Sequence, residues 1–227
     1  MKFEVKYGPA YALGSIALDS GEEVQAVSGA MVSMSSGITI ETGVQGGVMA
    51  GLRRSVFGGE SFFINKFAAA QPGEVTMAPP LPGDVIAIEL QGEELFVHSG
   101  AFLAATTDVQ IDTKWGGAKT FFSREGLVLL KLSGNGTVLV SSFGAIEHRD
   151  LAAGESHRVD TGFIVGFEAT VDYKVEKSGG WKTTLLGGEG LVVKLTGPGR
   201  VYVQTRSPED FVQWLIPQLP TQTTTTN

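Results

Sequence analysis

Apolar and polar residues alternate along this chain in short runs, and glycine-rich turns break the runs. In "GLVVKLTGPGRVYVQT", Leu191, Val193 and Leu195 fall on one side of a period-two pattern, and Val201 and Val203 resume it beyond Gly197-Pro198-Gly199. "LSGNGTVLV" has the same form around Asn135-Gly136, a pair that tolerates the positive φ of a tight turn. Both stretches read as hairpins, so the strands are expected to be antiparallel. Only the end of the chain has a helical pattern. Ser207 can N-cap, Pro208 suits the first helical position, and Glu209 and Asp210 favour the positive end of the helix dipole. Phe211, Trp214 and Leu215 follow before Pro217, which predicts a short helix within 207–217. The tail 218–227, ending in "TQTTTTN", has nothing to bury and is expected to be disordered.

The strand pattern recurs. "VSGAMVSMSSGITI", "HSGAFLAATTDVQI" and "DTGFIVGFEATVDY" each put a small-residue pair ahead of an apolar run, with Gly29, Gly100 and Gly162 spaced 71 and 62 apart. "FGGESFFINKF", "FSREGLVLLKL" and "LGGEGLVVKL" space Glu60, Glu125 and Glu189 by 65 and 64, and Gly73, Gly136 and Gly199 are spaced 63 and 63. Three markers sharing one period predict three tandem copies of an antiparallel β unit, about 24–94, 95–156 and 157–206, within a β domain spanning 1–206. Units of this size seldom close a core alone, so a single body of pseudo-threefold symmetry is expected. Its leftover sheet edges call for a partner subunit, and a homo-oligomer, with a trimer favoured, is the expectation.

"GGVMAGLRRSVFGGESFFINKF", "GAFLA", "GEGLVVKLTGPGRVYVQT" and the "SFG" of Ser142 to Gly144 resemble the widespread, largely uncharacterised family related to a mitochondrial biogenesis factor. Its members are similar in fold to the tryptophan RNA-binding attenuation protein. The resemblance runs from Val24 to Arg206. It implies an all-β chain of three tandem β-sandwich or double-stranded β-helix units, associated into trimers or similar rings. It implies no activity, because the family has no accepted catalytic residues to carry over.

Charge and composition narrow the function. A net charge of −7 opposes non-specific binding to nucleic acid or anionic lipid. The absence of cysteine excludes disulfides, thiolate metal sites and a thiol nucleophile. Charged Lys2, Glu4 and Lys6 open the chain and no apolar run approaches membrane-spanning length, so a cytoplasmic protein without a membrane span is expected.

Candidate chemistry is sparse. Gly46 to Gly51 has the glycine spacing of a phosphate loop, but Leu52-Arg53 follows where Lys-Ser/Thr is needed and the segment leads into a strand. A close-packed glycine turn is the better reading. The recurring glutamates are the most informative polar feature. Arg54 precedes Glu60 by 6 residues, Lys119 precedes Glu125 by 6 and Lys182 precedes Glu189 by 7. Three carboxylates on a pseudo-threefold axis could hold a hard cation, yet each is better read as pairing with its own upstream cation or with turn amides. His98, His148 and His157 are never closer than 9 residues, and no Gly-x-Ser-x-Gly elbow occurs. Asp108, Asp112 and Asp160 are acid-base candidates only as any carboxylate is. Asn135-Gly136-Thr137 fits a glycosylation acceptor, but the turn reading already accounts for it. The basic residues Lys66, Lys119, Lys131, Lys182, Lys194 and Arg200 are scattered. The matching strand positions of Lys131 and Lys194 make a threefold basic stripe for RNA conceivable, which the negative net charge opposes. The expectation is therefore a non-enzymatic oligomeric scaffold or interaction protein without cofactor or metal, acting on a macromolecular partner that the sequence does not name. The alternative is a module holding an apolar or aromatic ligand between repeats or subunits.

Overall fold

The computed structural model describes residues 1–42, 54–57, 60–112, 127–177 and 191–220. The first eight strands are β1 (Lys2–Lys6), β2 (Leu13–Leu18), β3 (Glu23–Val27), β4 (Met31–Met34), β5 (Ile38–Thr42), β6 (Arg54–Phe57), β7 (Glu60–Ala69) and β8 (Gly73–Met77). Then come β9 (Val85–Gln91), β10 (Leu95–His98), β11 (Phe102–Thr106), β12 (Val109–Asp112) and the long β13 (Leu129–Ser141). The last strands are β14 (Ile146–Leu151), β15 (Ser156–Asp160), β16 (Ile164–Glu168), β17 (Asp172–Lys177), β18 (Leu191–Thr196) and β19 (Gly199–Gln204), ahead of helix α1 (Pro208–Leu215). The chain is mostly β, and among the described residues its sheets are open rather than closed into a barrel. The helix starts where the sequence predicts, with Ser207 as N-cap accepting from the Asp210 amide. Residues 221–227 of the expected tail lie outside the described residues.

Every pairing between named strands is antiparallel, and the pairings recur in register. Val75 on β8 lies between Met34 and Ile16, Val138 on β13 between Ala105 and Ile88, and Val201 on β19 between Phe167 and Arg149. These three valines stand 63 residues apart. The strand on one side is bulged at the same point each time, between Met31 and Ser33, Phe102 and Ala104, and Ile164 and Gly166. In the opposing layer Lys66 lies between Gln25 and Glu41, Lys131 between Phe96 and Asp112, and Lys194 between Arg158 and Lys174.

The two hairpins expected from the sequence do not form. β18 and β19 flank Gly197-Pro198-Gly199 without pairing: β18 sits between β15 and β17, and β19 between β14 and β16. Asn135-Gly136 lies inside the single strand β13, whose first part pairs with β10 and β12 and whose second part pairs with β9 and β11. Both glycine stretches are corners at which the chain passes from one layer to the other. The reason is backbone geometry. Gly136 and Gly199 have φ of +142° and +141°, an extended conformation almost confined to glycine, whereas a tight hairpin turn needs the left-handed helical region near +57°.

Two joints link successive stretches of sheet. β3 pairs with β11 through Ala26–Ala104, Gln25–Ala105 and Val24–Thr106. β10 pairs with β16 through Val97–Gly166, Phe96–Phe167 and Leu95–Glu168. The apolar cores cross these joints. The cluster of Ile16, Phe67 and Val75 takes in Leu103 and Leu139, and the cluster of Leu95, Phe102 and Val138 takes in Val165 and Tyr202. A third cluster gathers Phe167, Val193 and Leu195 with Phe96. Period-two alternation makes the sharing possible, since Val138 and Val140 enter one core and Leu139 between them enters the other.

The corner geometry yields a test. A Cβ on residue 136 would run into Thr106 Oγ1, while one on Gly154, at φ +79°, would meet nothing within 4 Å. Gly136→Ala is expected to destabilise the fold by about 3 kcal/mol or more, the sum of backbone strain and overpacking. Gly154→Ala should cost only about 1 kcal/mol of left-handed backbone. Urea unfolding midpoints of the two variants check the order.

Candidate functional site

The repeat-related polar residues singled out by the sequence are only partly placed. Arg54 begins β6 opposite Phe63, and Glu60 begins β7 opposite Phe57. Lys119, Glu125, Lys182 and Glu189 lie outside the described residues, as does Gly43 to Arg53. The histidines are spread over three strands, with His98 on β10, His148 on β14 and His157 on β15. His98 Nδ1 accepts from the Gly100 amide at 3.2 Å, a local turn contact. Among the described residues no three His, Asp or Glu side chains are grouped to hold a metal ion. Asp160 Oδ1 accepts from the Gly162 amide at 2.9 Å, and Asp112 stands opposite Lys131. Lys66 pairs with Glu23, and Lys131 with Glu94 at 2.6 Å. The conceivable basic stripe is thus neutralised at Lys66 and Lys131, and the Arg158 and Lys174 that flank Lys194 both pair with Glu176, at 3.7 and 3.4 Å.

Buried polar side chains among the described residues are all hydroxyls: Ser15, Thr76, Ser141, Ser142 and Ser207. Each has a hydrogen-bond partner. Ser142 Oγ donates to the Gly144 carbonyl at 2.6 Å, for example, and Ser141 Oγ donates to the Ala101 carbonyl at 3.2 Å.

A cleft of about 520 Å³ opens where the Ser142 to Gly144 corner, the end of β19 and α1 converge, walled by Phe143, Phe163, Phe211 and Trp214. Local hydrogen bonds fix its walls. The Phe143 amide donates to Gln204 Oε1 at 2.9 Å, and Gln204 Nε2 donates to the Gly162 carbonyl at 2.8 Å. The Ala145 amide donates to Thr205 Oγ1 at 3.0 Å. The Ser207 cap and Pro208 start the helix, so that Phe211 meets Phe143 edge-on at 5.5 Å and stacks on Trp214 at 6.1 Å. Arg206 and Asp210 complete the lining. Such a site suits a flat apolar guest with a polar edge, held by stacking and burial. Sequence reading missed it. The signals were the "SFG" motif, the "TGF" of Thr161 to Phe163 and the aromatic helix, three separate stretches that only the fold assembles.

Electrostatic perturbation lies elsewhere. Arg200 grips Asp150 at 2.6 and 2.9 Å across β14 and β19, and this hydrogen bonding holds the Asp150 carboxyl below its usual range. Glu74 is held low by the Ser15 hydroxyl and then by Lys6. Burial pushes the Tyr173 phenol up to about 12, with Asp172 adding to the effect, and burial also raises Tyr202. None of these groups lines the cleft, so the described residues place no tuned acid or base there.

The family model described as mitochondrial biogenesis AIM24 matches residues 3–206. An uncharacterised protein of Streptococcus pyogenes serotype M6 (strain ATCC BAA-946 / MGAS10394) is 30% identical over 229 residues, covering 97% of this chain and 92% of that protein. A crystal structure of a Streptococcus pyogenes protein, a structural genomics target, superposes with a TM-score of 0.78 at 29% identity, covering 96% of this chain and 99% of that one.

The raised Tyr173 phenol makes stability pH-dependent at the alkaline end. The unfolded chain ionises this phenol near 10 and the folded chain near 12, so its contribution is intact below pH 10 and lost as pH rises to 12. Absorbance titration at 295 nm should show late phenolate ionisation whose amplitude falls in Tyr173→Phe, the remainder belonging to Tyr202. A late step of unchanged amplitude in the variant would refute the assignment.

Proposed function

This chain belongs to the mitochondrial biogenesis AIM24 family, and on that premise we propose that it is a non-catalytic assembly protein. It consists of three tandem copies of one antiparallel unit, taken as β2 to β8, β9 to β13 and β14 to β19 in place of the sequence bounds 24–94, 95–156 and 157–206. The recurring pairings of Val75, Val138 and Val201 support this division. Copies of the chain associate into a homo-oligomer that offers repeated surface to a macromolecular partner. The observation that carries this reading is where exposed apolar side chains collect. Met31, Val32 and Met34 lie on one sheet edge, and Val212, Trp214, Ile216 and Leu219 lie on and just beyond α1. Exposed apolar patches mark interaction surfaces. The paired states of Lys66 and Lys131 and the charge of −7 speak against nucleic acid as the partner. The relatives described above are bacterial, so the organelle in the family's description is not carried over.

A second reading has its own observation. The cleft of Phe143, Phe163, Phe211 and Trp214 fits a small aromatic or apolar ligand, which would make the chain a binding module. Native mass spectrometry of the full chain separates the two. The scaffold reading expects a multiple of the 23.9 kDa chain mass with no retained molecule. A co-purifying small molecule lost on Trp214→Ala would favour the ligand reading, and a 23.9 kDa species at micromolar concentration would defeat the scaffold.

A further inference from the structure

We propose that β4 of one copy pairs antiparallel with β15 of a second copy, completing between molecules the joint that β3–β11 and β10–β16 make within one. The inference rests on the reading of three tandem units and deepens it by naming the surface, the partner and the register.

The two internal joints use one register. Ala104 faces Ala26 and Gly166 faces Val97; one residue on, Ala105 faces Gln25 and Phe167 faces Phe96. In each case the bulged strand of one unit pairs with the second strand of the unit before it. Among the described residues no further unit supplies a strand to the open side of β4 or of β15. As a result β4 ends the sheet β1-β2-β8-β4, and β15 ends the sheet β15-β18-β17. The corresponding β11 and β16, and the corresponding β3 and β10, are paired on both sides. Each end therefore exposes the backbone groups that its counterparts use.

Side-chain exposure follows the same division. The bulge residue inserts into the preceding unit's core at both internal joints, and Leu103 is 2% exposed and Val165 0%. Val32 at the same point of β4 is 58% exposed. Met34 is 39% exposed where its counterparts Ala105 and Phe167 are buried at 0%. A hydrophobic open edge is a template for strand addition, and here the surface it would match is present on every copy.

The register transfers directly: Ser33 opposite Val159, Met34 opposite Arg158 and Ser35 opposite His157, with the second residue of each pair on the second copy. Chemistry at the middle position fits. Gln25 Nε2 donates to the Thr106 carbonyl at 2.9 Å and to the Val109 carbonyl at 2.6 Å across the first joint. Arg158 occupies the place of Gln25, and its guanidinium, whose Nε lies 3.7 Å from Glu176 of its own chain, would donate to the corresponding carbonyls, Ser35 and Ile38 of the first copy. Because the two surfaces differ, the contact is heterologous, and only a closed ring of copies leaves no β4 or β15 edge unpaired.

The chain has no cysteine, so one introduced on each edge reports the register cleanly. Opposed antiparallel residues bring Cβ atoms to about 4.5–5.5 Å, within reach of a disulfide. Full-length Ser33→Cys and Val159→Cys are mixed and mildly oxidised. A band at twice the 23.9 kDa chain mass is expected in the mixture and in neither variant alone. Val32→Asp, at a site exposed in the single chain, should reduce the assembly to 23.9 kDa with an unchanged far-ultraviolet spectrum. An assembly that survives Val32→Asp and gives no mixed cross-link would overturn the inference while leaving a homo-oligomer by another surface. A wild-type chain at 23.9 kDa would remove both, and a different protein occupying the edge would emerge as a hetero-complex abolished by Val32→Asp.

Discussion

A β-strand edge carries unpaired amides and carbonyls, and the fold is organised around where those edges go. Two of them are consumed inside the chain, where β3 meets β11 and β10 meets β16. Because the sheets continue through these joints, burial continues too, and Leu103 and Val165 leave their own layer to fill the core next door. The joint is therefore both a backbone contact and a packing contact. Among the described strands that end a sheet, β4 and β15 are the two that a further joint of the same kind would require.

One strand can serve two cores only if successive side chains diverge and the chain can change layers without reversing. β13 does both: Val138 and Leu139 enter different clusters, and the bend near Gly136 carries the strand from β10 and β12 to β9 and β11. A side chain at the bend would collide with Thr106, which sits on β11 where that strand joins β3. Corner and joint thus constrain each other, and glycine at the corner is a steric requirement of the joint.

The sequence revealed the 63-residue spacing of Gly73, Gly136 and Gly199 because each marks a layer change. What happens there was hidden, since alternation around Asn-Gly or Gly-Pro-Gly looks the same for a hairpin as for a corner and only φ separates them. The start of the helix was legible to the residue because its cap, proline and acidic turn are local signals. The joints were not. Gln25, Phe96 and Arg158 occupy one structural position with no shared chemistry, and only pairing partners reveal the equivalence. The aromatic cleft was equally unreadable, because Phe143, Phe163, Phe211 and Trp214 come from three separate stretches. The repeated glutamates that drew attention in the sequence have no described side chain to weigh against it.

The central claim is that one kind of strand joint both holds the chain together and links it to its copies. Amide hydrogen exchange measured across a dilution series addresses it most directly. At concentrations that favour assembly, β4 and β15 should exchange as slowly as β11 and β16, and dilution should release those two strands ahead of any other. If β4 and β15 exchange at the rate of an open edge at every concentration while the protein remains assembled, the joint does not extend between molecules and the account is wrong.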